Sequence, residues 1–203
     1  MLGAHLVPGY FAAIKSRQSW KPEWNKSQHI LLWAVAFGST VVPDLDVIYN
    51  AFFRGFVNHS TLWTHSLIPY LGIGLFWWIL RYAKKWPFLQ LLVGLVVVGG
   101  LSHLVLDVIA HGTPLLYPIS LRMFGMPPVR VVEGGIWAYV TDPIFLLEPL
   151  ALTLLVWHWI SNQNLTPRVR TVVLALILVS FISFAGVFLW LLPDMQKAVA
   201  RVL

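Results

Sequence analysis

The sequence predicts an all-α integral membrane protein, with four helices that span the bilayer and two shorter membrane-embedded helices near the N-terminus. Of its 203 residues, 58% are hydrophobic and only 11% are charged, whereas roughly a quarter of the residues in soluble proteins are charged. The mean hydropathy is +0.75, and the few charged residues lie mostly between long apolar segments. A water-soluble domain is therefore not expected.

Four apolar segments have the length of a transmembrane helix. About 20 apolar residues cross the roughly 30 Å hydrocarbon layer of a bilayer, and each segment comes close to that length with few or no charges. We therefore predict spanning helices over residues 62–80, 88–110, 143–160 and 172–192.

Two apolar segments near the N-terminus, residues 2–14 and 30–42, are too short to cross the bilayer comfortably. We expect each to form a half-buried, tilted or re-entrant helix that packs against the spanning helices. The segment 111–142 contains several prolines and glycines and is expected to form an ordered loop. Only short turns separate the other helices, so residues 1–203 are predicted to form one domain, with C-terminal helices within 142–192.

The basic residues indicate the topology of the chain. Its net charge is +6, but the lysines and arginines lie in short clusters between apolar segments, so nucleic acid is not an expected partner. If neighbouring helices are antiparallel, nine basic residues lie on one side of the membrane and five on the other. The positive-inside rule assigns the side with nine to the cytoplasm. No charged residue precedes the first apolar segment, so a cleavable signal peptide is not expected.

The first polar motif lies at the end of the predicted helix 88–110. His103, Asp107 and His111 are four residues apart, which places them on one stripe of a helix where they can face the same ion. The alternative for such a pair is a hydrogen-bonded contact in the core without metal. Because the chain has no cysteine, any metal must be bound by imidazole and carboxylate groups.

Two further motifs place polar side chains at the ends of apolar segments. In the Pro-Asp-Leu-Asp segment 43–46, the proline ends a helix and leaves Asp44 and Asp46 at a turn, where both can reach a divalent ion or can simply cap a helix. Thr64 is expected to cap the next helix, while His65 points into the bundle. The alternative for His65 is a structural histidine without metal.

Antiparallel threading of the helices brings these motifs to one face of the membrane, which is the extracytoplasmic face by the charge argument above. Ionisable groups at membrane depth are costly and usually face a partner, a cavity or an ion. The predicted result is a divalent-metal site with ligands for two or three ions; zinc is the first expectation, with manganese and iron as alternatives. The side chains that arrive at this face are His5, Asp44, Asp46, His65, His103, Asp107, His111 and Asp142.

The order of these motifs resembles the YdjM-like family of membrane-bound metal-dependent hydrolases. Five motifs within residues 1–120 carry the resemblance: Gly-Ala-His at His5, Pro-Asp-Leu-Asp at 43–46, Thr-His-Ser at His65, Ser-His at His103 followed by Asp107, and Pro-Leu-Leu-Tyr-Pro at 114–118. The family is distantly similar to zinc-dependent phospholipase C and P1 nuclease. The resemblance implies a helical hydrolase of phosphoesters with the metal ligands His5, Asp44, Asp46, His65, His103 and Asp107.

Two positions depart from the family pattern. His59 is followed by Ser60, where the family often has a His-Arg pair. His111 stands where a small polar residue is expected, so its assignment as a ligand depends on helix spacing alone.

The expected chemistry is hydrolysis by metal-activated water. Asp107 and either Asp44 or Asp46 are the candidates for carboxylates that bridge two ions, and a remaining carboxylate such as Asp46 is the candidate base. Glu133, which lies near two arginines in the loop 111–142, is a third catalytic candidate because this group is placed to position an anionic head group. The alternative for the arginines is an interfacial contact with phospholipid.

A site at the boundary of water and lipid predicts a lipid or lipid-linked phosphoester substrate, in the cytoplasmic membrane of a bacterium or archaeon. The bilayer itself is the expected partner. Transport of a divalent ion or protons is one alternative, but it predicts polar residues near the middle of several spans, and residues 67–80 and 172–192 have almost none. A metal-binding scaffold is the other alternative, and it predicts a coordinatively closed site.

Overall fold

The structure is a computed structural model that describes residues 2–53, 63–110, 112–125, 147–162 and 166–172, with isolated positions between 174 and 189. Every regular element in these parts of the chain is helical. Thr113 and Phe124 form an isolated antiparallel bridge beside the helices. The all-α prediction is therefore confirmed for the described residues.

The described helices follow the predicted order. The short N-terminal segments are confirmed as helices, and each extends beyond its predicted bounds at one or both ends. Single 3-10 turns, Val42–Leu45 and Trp63–His65, precede the third and fourth helices, and residues 167–172 are also helical. The helices are α1 (Leu2–Ser16), α2 (Lys26–Val41), α3 (Asp46–Phe53), α4 (Leu67–Ala83), α5 (Pro87–Ala110) and α6 (Leu147–Ser161).

The chain divides into two compact units, residues 4–126 together with Leu2 and residues 127–203 with the remaining N-terminal positions. The first unit contains most of α1 and all of α2–α5, and it carries the polar motifs of the described chain. The second contains α6. The prediction of one domain over residues 1–203 stays a prediction.

One described helix, α5, is long and apolar enough to cross a membrane, with 24 residues and a mean hydropathy of 2.2. Helix α4 has 17 residues and α6 has 15, fewer than the roughly 20 residues that a spanning helix needs. Much of the predicted span 172–192 lies outside the described residues. The structure thus supports one of the four predicted spans, and the other three stay predictions.

The outer surface of α4 is apolar. Leu71, Leu75 and Trp78 are 60%, 59% and 57% exposed, and these positions recur along one side of the helix. A run of exposed large apolar side chains is rare on soluble proteins. This surface is consistent with the predicted membrane location of the helix.

Local signals explain where the helices near the site begin and end. A capping box formed by Asn25 and Gln28 starts α2, and Pro43 is consistent with its end because proline cannot donate a backbone hydrogen bond. Ser66, and not Thr64, caps α4: the Ser66 side chain accepts a hydrogen bond from the Ile68 amide at 3.2 Å. The prediction of Thr64 as the cap is wrong, because this residue lies within the 3-10 turn that precedes the helix.

Helix α5 packs closely against both α2 and α4. At Gly99 the missing side chain makes room for Ser39 of α2, and at Gly100 it makes room for the Tyr70 ring of α4. The Ser39 hydroxyl also donates to the Leu95 carbonyl at 3.1 Å. The two glycines lie about one turn before His103. Helices α2 and α4 can therefore come close to α5 near the predicted metal ligands.

Candidate metal centre

Three separate elements deliver the central side chains of the site. His103 and Asp107 lie one turn apart on α5, and both are buried. His65 ends the 3-10 turn before α4 and is also buried. Asp44 lies in the 3-10 turn after α2. The predicted convergence of these motifs at one end of the helices is therefore confirmed.

The four side chains meet closely enough to share one ion. One ligand atom from each of Asp44, His65, His103 and Asp107 lies within 4.8 Å of all the others. The Nε2 atoms of His65 and His103 are 3.3 Å apart, and they lie 3.4 and 3.1 Å from Asp107 Oδ2. Asp44 Oδ1 is 3.6 Å from both nitrogens. This group could hold a metal ion.

The protons on the two imidazoles lie on their far sides. The Thr40 carbonyl is 2.8 Å from His103 Nδ1, and a carbonyl oxygen can only accept, so Nδ1 must carry the proton. Asp46 Oδ2 lies 3.2 Å from His65 Nδ1 and favours a proton there in the same way. A neutral ring then presents the lone pair of Nε2 to the cluster. When His65 is neutral, its Nε2 atom, that of His103 and two carboxylate oxygens are four acceptors that face one another, and a metal ion bound among them would satisfy all four.

Five of the six distances among the four atoms match the ligand–ligand distance of a tetrahedral site. A regular tetrahedron with metal–ligand bonds of about 2.0–2.1 Å has edges of roughly 3.3–3.4 Å. The five distances given above lie between 3.1 and 3.6 Å.

His5 extends the cluster beyond this tetrahedron. Its ring stacks on that of His103, with centroids 3.9 Å apart, and its Nε2 is 3.4 Å from Asp107 Oδ1. Asp107 therefore presents one oxygen to His5 and the other to His65 and His103. A carboxylate placed in this way can bridge two ions.

The electrostatic environment of the two 3-10 turns favours charged groups. Burial raises the pKa of Asp44, but the hydrogen bond with His65 and the imidazoles of His103 and His5 outweigh it, so the pKa lies below its ordinary value. Burial lowers the pKa of His65, but hydrogen bonds to Asp44 and Asp46 and the nearby carboxylate charges outweigh it and raise the pKa to about 9. Without metal, His65 is thus protonated at neutral pH.

Metal binding is expected to strengthen as the pH rises toward 9, because an ion must displace the proton held by His65. Displacement of one proton changes the apparent affinity by roughly tenfold per pH unit below that pKa. Competition with a chelator of known affinity, at several pH values, measures this dependence. An apparent affinity that stays constant over this range would show that His65 does not lose a proton on binding.

The structure brings together six of the predicted site residues. Four form the tetrahedral group, and His5 and Asp46 lie beside it. The catalytic candidate Glu133 and the predicted ligand His111 fall outside the described residues, as do His59 and Asp142. Their roles stay predictions.

Other groups that hold the site were not found from the sequence. The Thr113 hydroxyl donates to the His65 carbonyl at 2.9 Å, and the Leu67 amide donates to the Leu115 carbonyl at 2.8 Å. The Tyr70 hydroxyl donates to the Thr64 carbonyl at 2.9 Å. No spacing in the sequence signals such contacts, although Thr113 and Leu115 lie in or beside the motif at 114–118 that supports the resemblance.

Comparison with known proteins assigns the family. The model of the YdjM inner membrane protein family matches residues 1–191. The chain belongs to the YdjM family. This match extends beyond the predicted motif region and is consistent with a membrane location for the chain. No curated protein and no solved structure matches it, so the expected similarity of this YdjM protein to phospholipase C and P1 nuclease has no support from these comparisons.

Proposed function

We propose that this YdjM protein is a membrane-bound, metal-dependent hydrolase that cleaves a phosphoester of a lipid or lipid-linked substrate. The observation that carries the proposal is the convergence of four acceptor atoms, from Asp44, His65, His103 and Asp107, in an otherwise apolar bundle. Two imidazole nitrogens and two carboxylate oxygens suit zinc, with manganese and iron as alternatives. A bound divalent ion would supply Lewis-acid activation of water and of a phosphoryl oxygen.

The two oxygens of Asp107 support a site with more than one ion. Oδ2 faces the nitrogens of His65 and His103, and Oδ1 faces His5. An ion at the first position would have four protein ligands, whereas one beside His5 would have fewer and would keep room for water and substrate. If two ions are bound, Asp107 would be the carboxylate placed to hold both.

The surroundings of Asp44 support an apolar substrate. Asp44 is the most exposed member of the group, at 17%, and its chain neighbour Leu45 and nearby Val42 are 49% and 47% exposed. Trp63, on the other 3-10 turn, is 58% exposed. A phosphate carried by a lipid fits both the accessible carboxylate of Asp44 and the exposed apolar side chains around it. Its head group would reach the ligands while its tail stays in the bilayer. By the positive-inside rule, we place this entrance on the extracytoplasmic side.

A metal-binding scaffold is the second candidate, and the four-ligand group favours it specifically. A structural zinc site has four protein ligands and no position for water. The two candidates therefore differ in whether the loaded protein turns over substrate.

The test is to strip the detergent-purified protein with a chelator, reload it with Zn²⁺, Mn²⁺ or Fe²⁺, and measure both bound metal and phosphoester hydrolysis. Phospholipids, lipid phosphates and a water-soluble phosphodiester serve as substrates. We expect two or three equivalents of zinc and hydrolysis only of the lipid substrates, only after reloading. Stoichiometric metal without turnover of any substrate would establish the scaffold, and a folded protein that binds no metal would overturn both candidates.

A further inference from the structure

Two carboxylates contact opposite edges of the same imidazole ring. Asp44 Oδ1 lies 3.6 Å from His65 Nε2, while Asp46 Oδ2 lies 3.2 Å from His65 Nδ1. Asp44 belongs to the four-atom group, and Asp46 does not. The two residues are separated only by Leu45 in the motif 43–46, but the ring of His65 lies between the oxygens that they present.

An imidazole binds an ion through one nitrogen and donates a hydrogen bond through the other. At His65 the nitrogen that faces His103 and Asp107 is Nε2. Nδ1 therefore remains as the donor, and the carboxylate beside it is the acceptor. Asp46 is therefore placed to accept a hydrogen bond from His65, whereas Asp44 faces the same ion as Nε2 of His65.

We propose that Asp46 is a positioning residue that acts through His65, and not a ligand of the ion shared by His65, His103 and Asp107. It fixes the tautomer and the orientation of the ring, and its negative charge makes Nε2 a stronger donor to the metal. The inference rests on the proposed metal-dependent function. It changes the assignment that the resemblance implies, in which Asp46 is itself a ligand.

The other imidazole of the site has a weaker partner in the same position. The Thr40 carbonyl accepts from His103 Nδ1 at 2.8 Å. Thr40 lies in the last turn of α2, where backbone carbonyls lack partners within the helix. Nδ1 of His103 thus contacts a neutral carbonyl, whereas Nδ1 of His65 contacts a carboxylate. Loss of Asp46 therefore changes the charge beside His65 as well as the orientation of its ring.

The backbone around His65 does not depend on Asp46. Thr113 donates to the His65 carbonyl, and Leu67 donates to Leu115. These contacts hold the turn on both sides of the ring. Removal of the Asp46 carboxylate therefore frees the ring and weakens its basicity while the chain that carries it stays in place.

The experiment compares Asp46→Asn and Asp46→Ala with Asp44→Asn, in the full-length protein in detergent. The readouts are the stoichiometry and affinity of zinc and the visible spectrum of Co²⁺ in the same site. Asp46→Asn keeps an acceptor for Nδ1 without the charge, so it remains informative if the alanine variant does not fold. Glu23→Gln is the matched control, since it removes an exposed carboxylate that pairs with Lys21.

We expect full zinc stoichiometry in the Asp46 variants, with affinity lowered by about 10- to 100-fold and more in alanine than in asparagine. The intensity of the Co²⁺ bands, which reports coordination number, should persist, whereas Asp44→Asn should change it. Loss of one zinc equivalent or of the band intensity in Asp46→Asn would make Asp46 a ligand, and wild-type affinity would give it no role at the metal. Either result overturns the inference while wild-type metal binding, and with it the proposed function, still stands.

Discussion

Replacement of His103 with alanine will abolish zinc binding and hydrolysis together. The variant removes one of the four atoms of the tetrahedral group and also the ring on which His5 stacks. The remaining Asp44, His65 and Asp107 supply three of the four atoms, so the ion would lose one of its two imidazole ligands at a buried position. The loss of zinc affinity should exceed the roughly 10- to 100-fold that follows removal of a residue that only hydrogen-bonds a metal ligand.

The measurement is elemental analysis of the purified variant beside a zinc titration and the lipid-phosphate assay. His29→Ala is the matched control, because His29 stacks on Trp20 near the opposite end of α2. His103→Gln keeps a polar side chain of similar size. It replaces the alanine variant in these measurements if the alanine variant does not fold. A folded variant at position 103 with wild-type zinc content would place the ion elsewhere in the chain.

Replacement of Gly100 with alanine will destabilise the protein and weaken metal binding at the same time. A Cβ atom at this position would overlap the ring of Tyr70, which is buried against α5. Overpacking of this kind costs about 1–3 kcal/mol of the free energy of unfolding. The Tyr70 hydroxyl donates to the Thr64 carbonyl, so a displaced ring also shifts the residue next to His65.

Gly72→Ala is the control for this prediction. Gly72 lies in α4, two residues after Tyr70, and a Cβ atom at this position meets nothing within 4 Å. Alanine is favoured over glycine in a helix by roughly 0.5–1 kcal/mol, so this variant should be at least as stable as wild type. Thermal unfolding in detergent and zinc titration measure both variants. Equal stability and affinity for the two would show that Tyr70 does not depend on the space at Gly100.

Helix periodicity was sufficient to predict much of the first unit. The spacing of four between His103 and Asp107 implies a common helix face whatever surrounds it, and both residues do lie on α5. Antiparallel packing of successive helices then brings the ends that carry Asp44 and His65 to the same place. These inferences use local geometry and chain order, which a sequence contains.

Other features depended on the exact course of the turns. The start of α4 was predicted too early, because the segment before Ser66 is apolar enough to continue a helix but folds as a 3-10 turn. The length of α4 raises a related question, because this helix exposes large apolar side chains yet has only 17 residues. Length and hydropathy alone do not separate a spanning helix from a tilted or partly embedded one.

The sequence by itself determined the helical class, the absence of thiolate ligands and a list of imidazoles and carboxylates that includes the six side chains found together. Only the tertiary structure decided which of these side chains face a shared ion and which contact a ligand from its other side. Asp44 and Asp46 are indistinguishable as a Pro-Asp-Leu-Asp motif, but the first lies beside Nε2 of His65 and the second beside Nδ1. The reason is physical: periodicity specifies the face of a helix on which a side chain lies, whereas contact with one atom of a ring depends on distances of a few tenths of an ångström set by packing between separate segments.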